Sequence, residues 1–132
     1  MFTHVTLGAN DMEASRRFYD AVLGALGVPP GVQDDKGRWW WRTSRGAFAI
    51  TRPLDGGPAC HANGGTLGFA AADPDAVQAF HRAGVENGGA SCEDPPGLRQ
   101  GGPFGDLHLA YLRDPAGNKI CALHRPKAAV PA

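Results

Sequence analysis

Residues 111–121 read YLRDPAGNKIC, a stretch with the composition of two strands joined by a tight turn. Within the turn, Pro115 presets φ to about −65°, Gly117 can adopt a positive φ, and the Asp114 side chain can bond nearby backbone. The flanking residues 107–112 and 119–123 have strand character. We therefore predict a hairpin near the end of the chain, with Cys121 on its second strand.

The first half of the chain has a strand, a helix and then further strands. Apolar residues favour a strand at 2–7, and a helix then runs from a cap at Asn10 or Asp11 to about residue 23. Gly24 and Gly27 are expected to stop this helix. After a Pro- and Gly-rich loop, strands are predicted at 38–43, which contains three consecutive tryptophans, and at 47–51.

The same order returns in the second half. A strand is predicted at 66–71, and Asp73-Pro74 has the pattern of a helix start, with Gly88-Gly89 as its stop. A short strand at 90–93 and an irregular segment at 94–99 lead to the hairpin. The halves align at a constant offset of 62, which pairs His4 with Thr66, Asp11 with Asp73, Phe18 with Phe80, and Gly27 with Gly89. Such spacing indicates an internal duplication.

Two repeated units predict the α+β fold class. We expect a single domain over 1–132 built of two βαβββ modules, at about 2–56 and 64–125, with a tail at 126–132. A small sheet must bury one of its faces. Two paired modules that enclose a cleft are the simplest arrangement that achieves this.

Composition excludes several classes of partner. The 132 residues include 13 basic and 13 acidic side chains, so net charge argues against nucleic acid or an anionic membrane as the main partner. No apolar run approaches the roughly 20 residues of a membrane span, and no signal peptide is expected. Three widely spaced cysteines without a CxxC pattern favour a reducing, cytoplasmic setting.

The hairpin, the duplication and the strand that carries His4 together resemble the vicinal-oxygen-chelate superfamily. This superfamily includes glyoxalases, extradiol dioxygenases, fosfomycin-resistance enzymes and bleomycin-binding proteins. Its closing hairpin reads roughly DP-x-GN-x-[IL]-E, and Cys121 stands here in place of the final Glu. The resemblance extends over about 2–125 and implies two modules that form a cleft, a small-molecule ligand and a homodimer.

The resemblance also implies four positions for a divalent metal ion. Its metalloenzymes take ligands from the first and a late strand of each module, which corresponds here to His4, Ala49, Thr66 and Cys121. His4 matches the family ligand, whereas alanine cannot coordinate. A catalytic site normally needs about three protein ligands. If Zn, Ni, Mn or Fe is bound through His4 and Cys121, a third ligand such as His61 or His108 is needed. We therefore expect a degenerate metal site and no resident cofactor.

Each candidate residue also has a structural interpretation. His4 can line a cavity while bonded to backbone, and Cys121 can be a small buried hydrophobe. A reactive Cys121 would need a nearby cation to lower its pKa. His61 lies in a Gly-rich loop and is expected to be exposed to solvent. His4 and Cys121 are therefore candidate catalytic residues without an assigned role.

The tryptophan run offers a second candidate site. On a strand, Trp39 and Trp41 share one face and Trp40 takes the other. One face is expected in the core, and the other is a dimer contact or a wall on which a planar ligand stacks. The candidate ligand-binding residues are Trp39, Trp41, Thr66, His108 and Arg113. Arg42, Arg99 and Arg113 are candidates for binding an anionic group.

Three functions remain open at this point. The first is a small-molecule-binding protein, or a metal-independent enzyme, with a decayed chelate site, and it is favoured by residues 49, 66 and 121. The second is a metal-dependent lyase, isomerase or dioxygenase that uses His4 and Cys121. The third is a module that binds a protein partner through its tryptophans. Whether the protein is an enzyme is not determined by its sequence.

Overall fold

The computed structural model describes residues 1–126 and has two helices and nine strands in that range. The first half contains β1 (His4–Gly8), α1 (Met12–Ala25), β2 (Val32–Gln33), β3 (Trp39–Thr43) and β4 (Gly46–Thr51). The second half contains β5 (Leu67–Ala70), α2 (Pro74–Glu86), β6 (Ala90–Ser91), β7 (Gly97–Gly102), β8 (Gly105–Arg113) and β9 (Lys119–His124).

The strands form two sheets with equivalent topology. The first has the order β1-β4-β3-β2, and the second has the order β5-β9-β8-β6, with β7 also paired to β8. In each sheet the first strand runs parallel to the last, and the other pairs are antiparallel. The predicted α+β class with two βαβββ units is confirmed. The exact boundaries of the modules stay a prediction.

Three details differ from the sequence-based prediction. Strand β2 was not predicted, because two residues are too few for a periodic pattern. The segment expected to be irregular at 94–99 enters strand β7 at Gly97. Gly24 lies inside α1, and the chain turns at Gly27, whose φ is +86°. The tail predicted at 126–132 falls almost entirely outside the described residues.

Both helices begin at an aspartate. The Asp11 carboxylate accepts the backbone N–H of Ala14 at 3.0 Å, and the Asp73 carboxylate accepts that of Ala76 at 2.8 Å. Each satisfies a donor that the first helical turn leaves without a partner. Glu13, in the first turn of α1, pairs with Arg16.

The core lies between the two helices and one face of each sheet. The helices pack against one another, where Gly84 leaves room for Val22 and Leu112. Side chains from both helices and both sheets form one cluster, which includes Phe18, Tyr19, Val22, Trp41, Phe48, Ile50, Val77, Phe80, Leu112, Ile120 and Ala122. Among the described residues 1–126, no helix lies on the opposite face of either sheet.

The Asp114 side chain joins the two halves of the molecule. Its Oδ2 accepts the Tyr19 hydroxyl of α1 at 2.5 Å and the Asn118 amide at 2.9 Å, and its Oδ1 accepts the backbone N–H groups of residues 116 and 118. The Asn118 amide also donates to the carbonyl of Gly8 at the end of β1. Burial first, and then the Asp114 charge, raise the pKa of Tyr19 well above its usual value, so its hydroxyl donates at neutral pH.

Replacement of Asp114 should therefore destabilise the fold strongly. In Asp114→Ala, the buried Tyr19 hydroxyl and Asn118 amide lose an acceptor, and we expect the free energy of unfolding to fall by about 3 kcal/mol or more. Tyr19→Phe removes one hydrogen bond and should cost about 1 kcal/mol. Urea unfolding measures both. Asp106→Ala, at an exposed position of β8, is the control. Equal losses in Asp114→Ala and Asp106→Ala would contradict this account.

Candidate functional site

The face of the first sheet that points away from the helices is here called the first open face. Alternation along each strand and the register place two rows of side chains across it. One row runs Arg42, Ala47, His4, and the next runs Trp40, Ala49, Thr6. Small alanines on β4 thus lie between larger side chains on β3 and β1. Ala49 is fully buried although its face carries no helix, and the large side chain opposite it in the register is Trp40.

The Trp40 indole is held by Asp34. Its Nε1–H donates to Asp34 Oδ2 at 3.0 Å, and the Arg38 Nε–H donates to the same oxygen at 2.7 Å. The indole hydrogen bond first, and the Arg38 bond with it, lower the pKa of Asp34 to about 2. The carboxylate is therefore charged at neutral pH, and it fixes the orientation of the ring.

Three side chains besides Asp34 approach the same indole, and one is Arg38, whose guanidinium carbon lies 5.6 Å from the ring centroid. The guanidinium carbon of Arg42 lies 4.9 Å from the ring centroid, and the His4 ring lies 5.9 Å from it, tilted by 56°. The Thr3 hydroxyl lies 2.9 Å from His4 Nδ1. His4, Arg42 and Trp40 therefore form one cluster on the first open face.

The two tryptophans predicted to bind a ligand, Trp39 and Trp41, lie on the helix side of the first sheet. Trp41 is 2% exposed, packs in the core and donates its Nε1–H to Asp20 at 3.0 Å. Trp39 packs against the same core, with Arg16 over its ring. Trp41 also lines the cavity described below, so the predicted roles of Trp39 and Trp41 in ligand binding stay a prediction, while the open face of β3 presents Trp40.

Cys121 lies on the corresponding face of the second sheet. Its register partners are Gly68 on β5 and Tyr111 on β8. Next to it, Lys119 pairs with Glu93 and lies over the Tyr111 ring at 5.1 Å. Glu93 has a φ of +59°, which is unusual for a residue other than glycine.

Burial decides the chemistry of the Cys121 thiol. The side chain is 6% exposed, and burial first, with the Glu93 charge, raises its pKa to about 11. Only the thiolate is a good nucleophile. At neutral pH Cys121 is therefore a protonated, apolar side chain, as its structural interpretation predicted.

The remaining predicted site residues lie apart from this cluster. His108 is in register with His124, on the core side of β8. Arg113 donates to the carbonyl of Gly117 and braces the hairpin turn. Thr66 is exposed just before β5. Their predicted roles in ligand binding stay untested, and the structure does not bring them together with His4.

A cavity adjoins the first open face. It has a volume of about 580 Å³ and lies between β1, the start of β4 and the edge strand β5. This volume is within the range typical of small-molecule sites. His4 and Ala47 belong both to its lining and to the open face, whereas Trp40 and Arg42 do not line it, and Val5, Trp41 and Phe48 line it from the helix side of the sheet. Most of its other lining is apolar, including Val5, Leu23, Leu26, Val28, Phe48, Leu67 and Phe69.

Comparison with known proteins agrees with this architecture. The model of the glyoxalase-like domain family matches residues 4–123. The chain belongs to the glyoxalase-like domain family. A glyoxalase/bleomycin resistance protein from Albidiferax ferrireducens T118 is 58% identical, with a TM-score of 0.91 over 95% of this chain and 99% of that one. No curated protein matches the sequence.

More distant members share the fold. A glyoxalase-related enzyme from Fulvimarina pelagi is 19% identical, with a TM-score of 0.72 over 96% of this chain and 88% of that one. A lactoylglutathione lyase from Agrobacterium tumefaciens is 21% identical, with a TM-score of 0.64 over 94% and 92% of the two chains. At such identities the likeness concerns the fold alone.

The residues of this glyoxalase-like chain do not fit a chelated metal ion. Two of the four positions that the resemblance implies lack a good metal ligand. Position 49 is an alanine in register with Trp40, and position 66 is a threonine with an exposed side chain. His4 and Cys121 are the two side chains left at these positions that commonly coordinate a transition metal. Within residues 1–126, no group of three or more His, Cys, Asp or Glu side chains is arranged to hold a metal ion. The donor set at the four family positions is therefore too small for a catalytic metal ion.

Two ion pairs near these residues, Asp34–Arg38 and Glu93–Lys119, were not predicted from the sequence. The spacing of Asp34 and Arg38, four residues apart around a turn, was a signal for the carboxylate that anchors Trp40. The pairing of Glu93 with Lys119 had no sequence signal, because it joins separate strands. In the described part of the chain, neither helix has the length and apolar character that a membrane crossing requires.

The thiol of Cys121 should react slowly and with an unusual pH dependence. In the variant Cys60→Ser/Cys92→Ser, maleimide labelling at neutral pH should be far slower than in the matched variant that retains the exposed Cys60. The rate should rise about tenfold per pH unit and continue to rise toward pH 11, because the thiolate is the reacting form. A rate for Cys121 that equals that of Cys60 at pH 7 would contradict a buried, protonated thiol.

Proposed function

We propose that this glyoxalase-like protein binds a small organic molecule, with Trp40 in the role that a metal ion has in the metalloenzymes of the superfamily. The observation that carries the proposal is the indole opposite Ala49, with its Nε1–H bonded to Asp34 and the His4 ring at 5.9 Å. A fixed aromatic ring in a family binding region is a suitable contact surface for a ligand.

The adjoining cavity supports this proposal. Its volume of about 580 Å³ accommodates a drug-sized compound, and its apolar walls would remove the body of such a compound from water. His4 and Thr3 at its rim supply polar groups that can orient a ligand. Binding, and not group transfer, is the proposed activity, since no activated nucleophile accompanies these side chains.

We further propose that the protein acts as a cytoplasmic homodimer. Three cysteines without a disulfide partner are compatible with a reducing compartment. Exposed Phe2, at 74%, offers apolar surface beside the cavity that a second copy would cover. A lyase, isomerase or dioxygenase that uses a metal ion at His4 and Cys121 is the alternative, and its ligand set is one short of the three protein ligands that a catalytic site normally has.

Thermal unfolding in the presence of a panel of aromatic and anionic compounds tests the binding function. A compound at ten times its Kd should raise Tm by about 4 °C, because a ligand of the folded state adds about 1.4 kcal/mol. Ala70→Leu, which narrows the cavity from an exposed position on β5, should reduce that shift. Ala90→Leu, on an exposed strand residue outside the cavity, is the control.

The same preparation also tests the alternative function. Protein incubated with Zn²⁺, Ni²⁺, Mn²⁺ or Fe²⁺ and then desalted should retain well below one equivalent of metal. Stoichiometric metal that is lost in His4→Ala would support the metal-dependent enzyme and contradict the proposed function. A panel in which no compound changes Tm would also contradict the proposed function.

A further inference from the structure

We infer that the ligand is a planar organic acid, whose carboxylate is bound by Arg42 and His4 at the edge of Trp40. This inference rests on the proposed function and names the chemical class of its ligand. Three observations carry it: the charge of the segment around β3, the positions of the two polar side chains, and the fixed plane of the indole.

The segment around β3 attracts anions. Residues 38–45 include Arg38, Arg42 and Arg45 and no acidic residue. Arg38 is neutralised by Asp34, with which it forms an ion pair at 2.7 Å. Among residues 1–126, no carboxylate lies within ion-pair distance of Arg42. Its exposed guanidinium therefore keeps its full hydrogen-bonding capacity for a carboxylate that arrives from solvent.

Arg42 and His4 face each other across one small residue. Both are in register with Ala47, so their Cα atoms are separated by two strand spacings, roughly 10 Å. Both side chains lie near the same indole, the Arg42 guanidinium carbon at 4.9 Å and the His4 ring at 5.9 Å from its centroid. If the Thr3 hydroxyl donates to His4 Nδ1, the His4 Nε2 carries a proton and can donate as well. Two donor groups on opposite sides suit the two oxygens of a carboxylate.

The body of the acid should be flat. The Trp40 plane cannot rotate freely, since its Nε1–H is bonded to Asp34. Val32, 70% exposed and opposite Trp40 in the register, extends the apolar surface beside the ring. An aromatic ring stacked there gains contact area at little entropic cost. A flexible fatty acid would lose more conformational freedom on the same surface.

Calorimetric titration with 2-naphthoate and its neutral analogue 2-naphthamide tests this inference. The wild-type protein should bind 2-naphthoate at least about tenfold more tightly, equivalent to 1.4 kcal/mol. Arg42→Ala should reduce that ratio to about one, and Arg42→Lys should retain part of it. Arg82→Ala, at an exposed position of α2, should keep the wild-type ratio. Added salt should weaken the binding of 2-naphthoate more than the binding of 2-naphthamide.

Several results would overturn the inference. The first is equal affinity for acid and amide. The second is a preference for the acid that survives in Arg42→Ala. The third is a Kd for 2-naphthoate above about 1 mM. The Tm of Arg42→Ala is compared with that of the wild-type protein first, so that lost binding is not lost folding. If panel compounds raise Tm in a manner sensitive to Ala70→Leu but not to Arg42→Ala, this inference fails and the proposed function stands.

Discussion

The buried carboxylate of Asp114 is the interaction on which the other features of this molecule depend. It accepts four hydrogen bonds, and these connect the closing hairpin to α1, while Asn118 extends the connection to β1. Because β1 carries His4 and the hairpin carries Cys121, the relative position of the two sheets is set through this group. A buried charge is tolerated only when its oxygens are satisfied in this way.

A second constraint follows from three consecutive tryptophans on one strand. A strand must send Trp40 to the face opposite Trp41. Trp41 is fixed in the core by Asp20 and by close contact with Gly31, where an added Cβ would lie 2.8 Å from its ring. Burial of Trp41 thus presents Trp40 on the open face, opposite the small side chain of Ala49.

The fold could be predicted from local patterns. The Asp73-Pro74 helix start and the DPAGN turn are short-range signals, and each corresponds to an element of the structure. The offset of 62 is a long-range signal that pairs β1 with β5 and α1 with α2. The site could be predicted only in part. His4 does lie on the exposed face of β1, but strand alternation alone could not say which tryptophan faced the core. That choice depends on Asp20 and Gly31, which contact Trp41 from distant parts of the sequence.

The central claim is that Trp40 forms the ligand-binding surface of the protein. It is tested most directly by the three indole N–H signals in a two-dimensional ¹⁵N NMR spectrum, assigned with Trp→Phe variants and followed during addition of 2-naphthoate. We predict that the Trp40 signal shifts and saturates, and that it shifts more than the signal of Trp41, whose Nε1–H is bonded to Asp20. A titration in which the Trp40 signal does not move, or in which Trp41 moves and Trp40 does not, would contradict the claim.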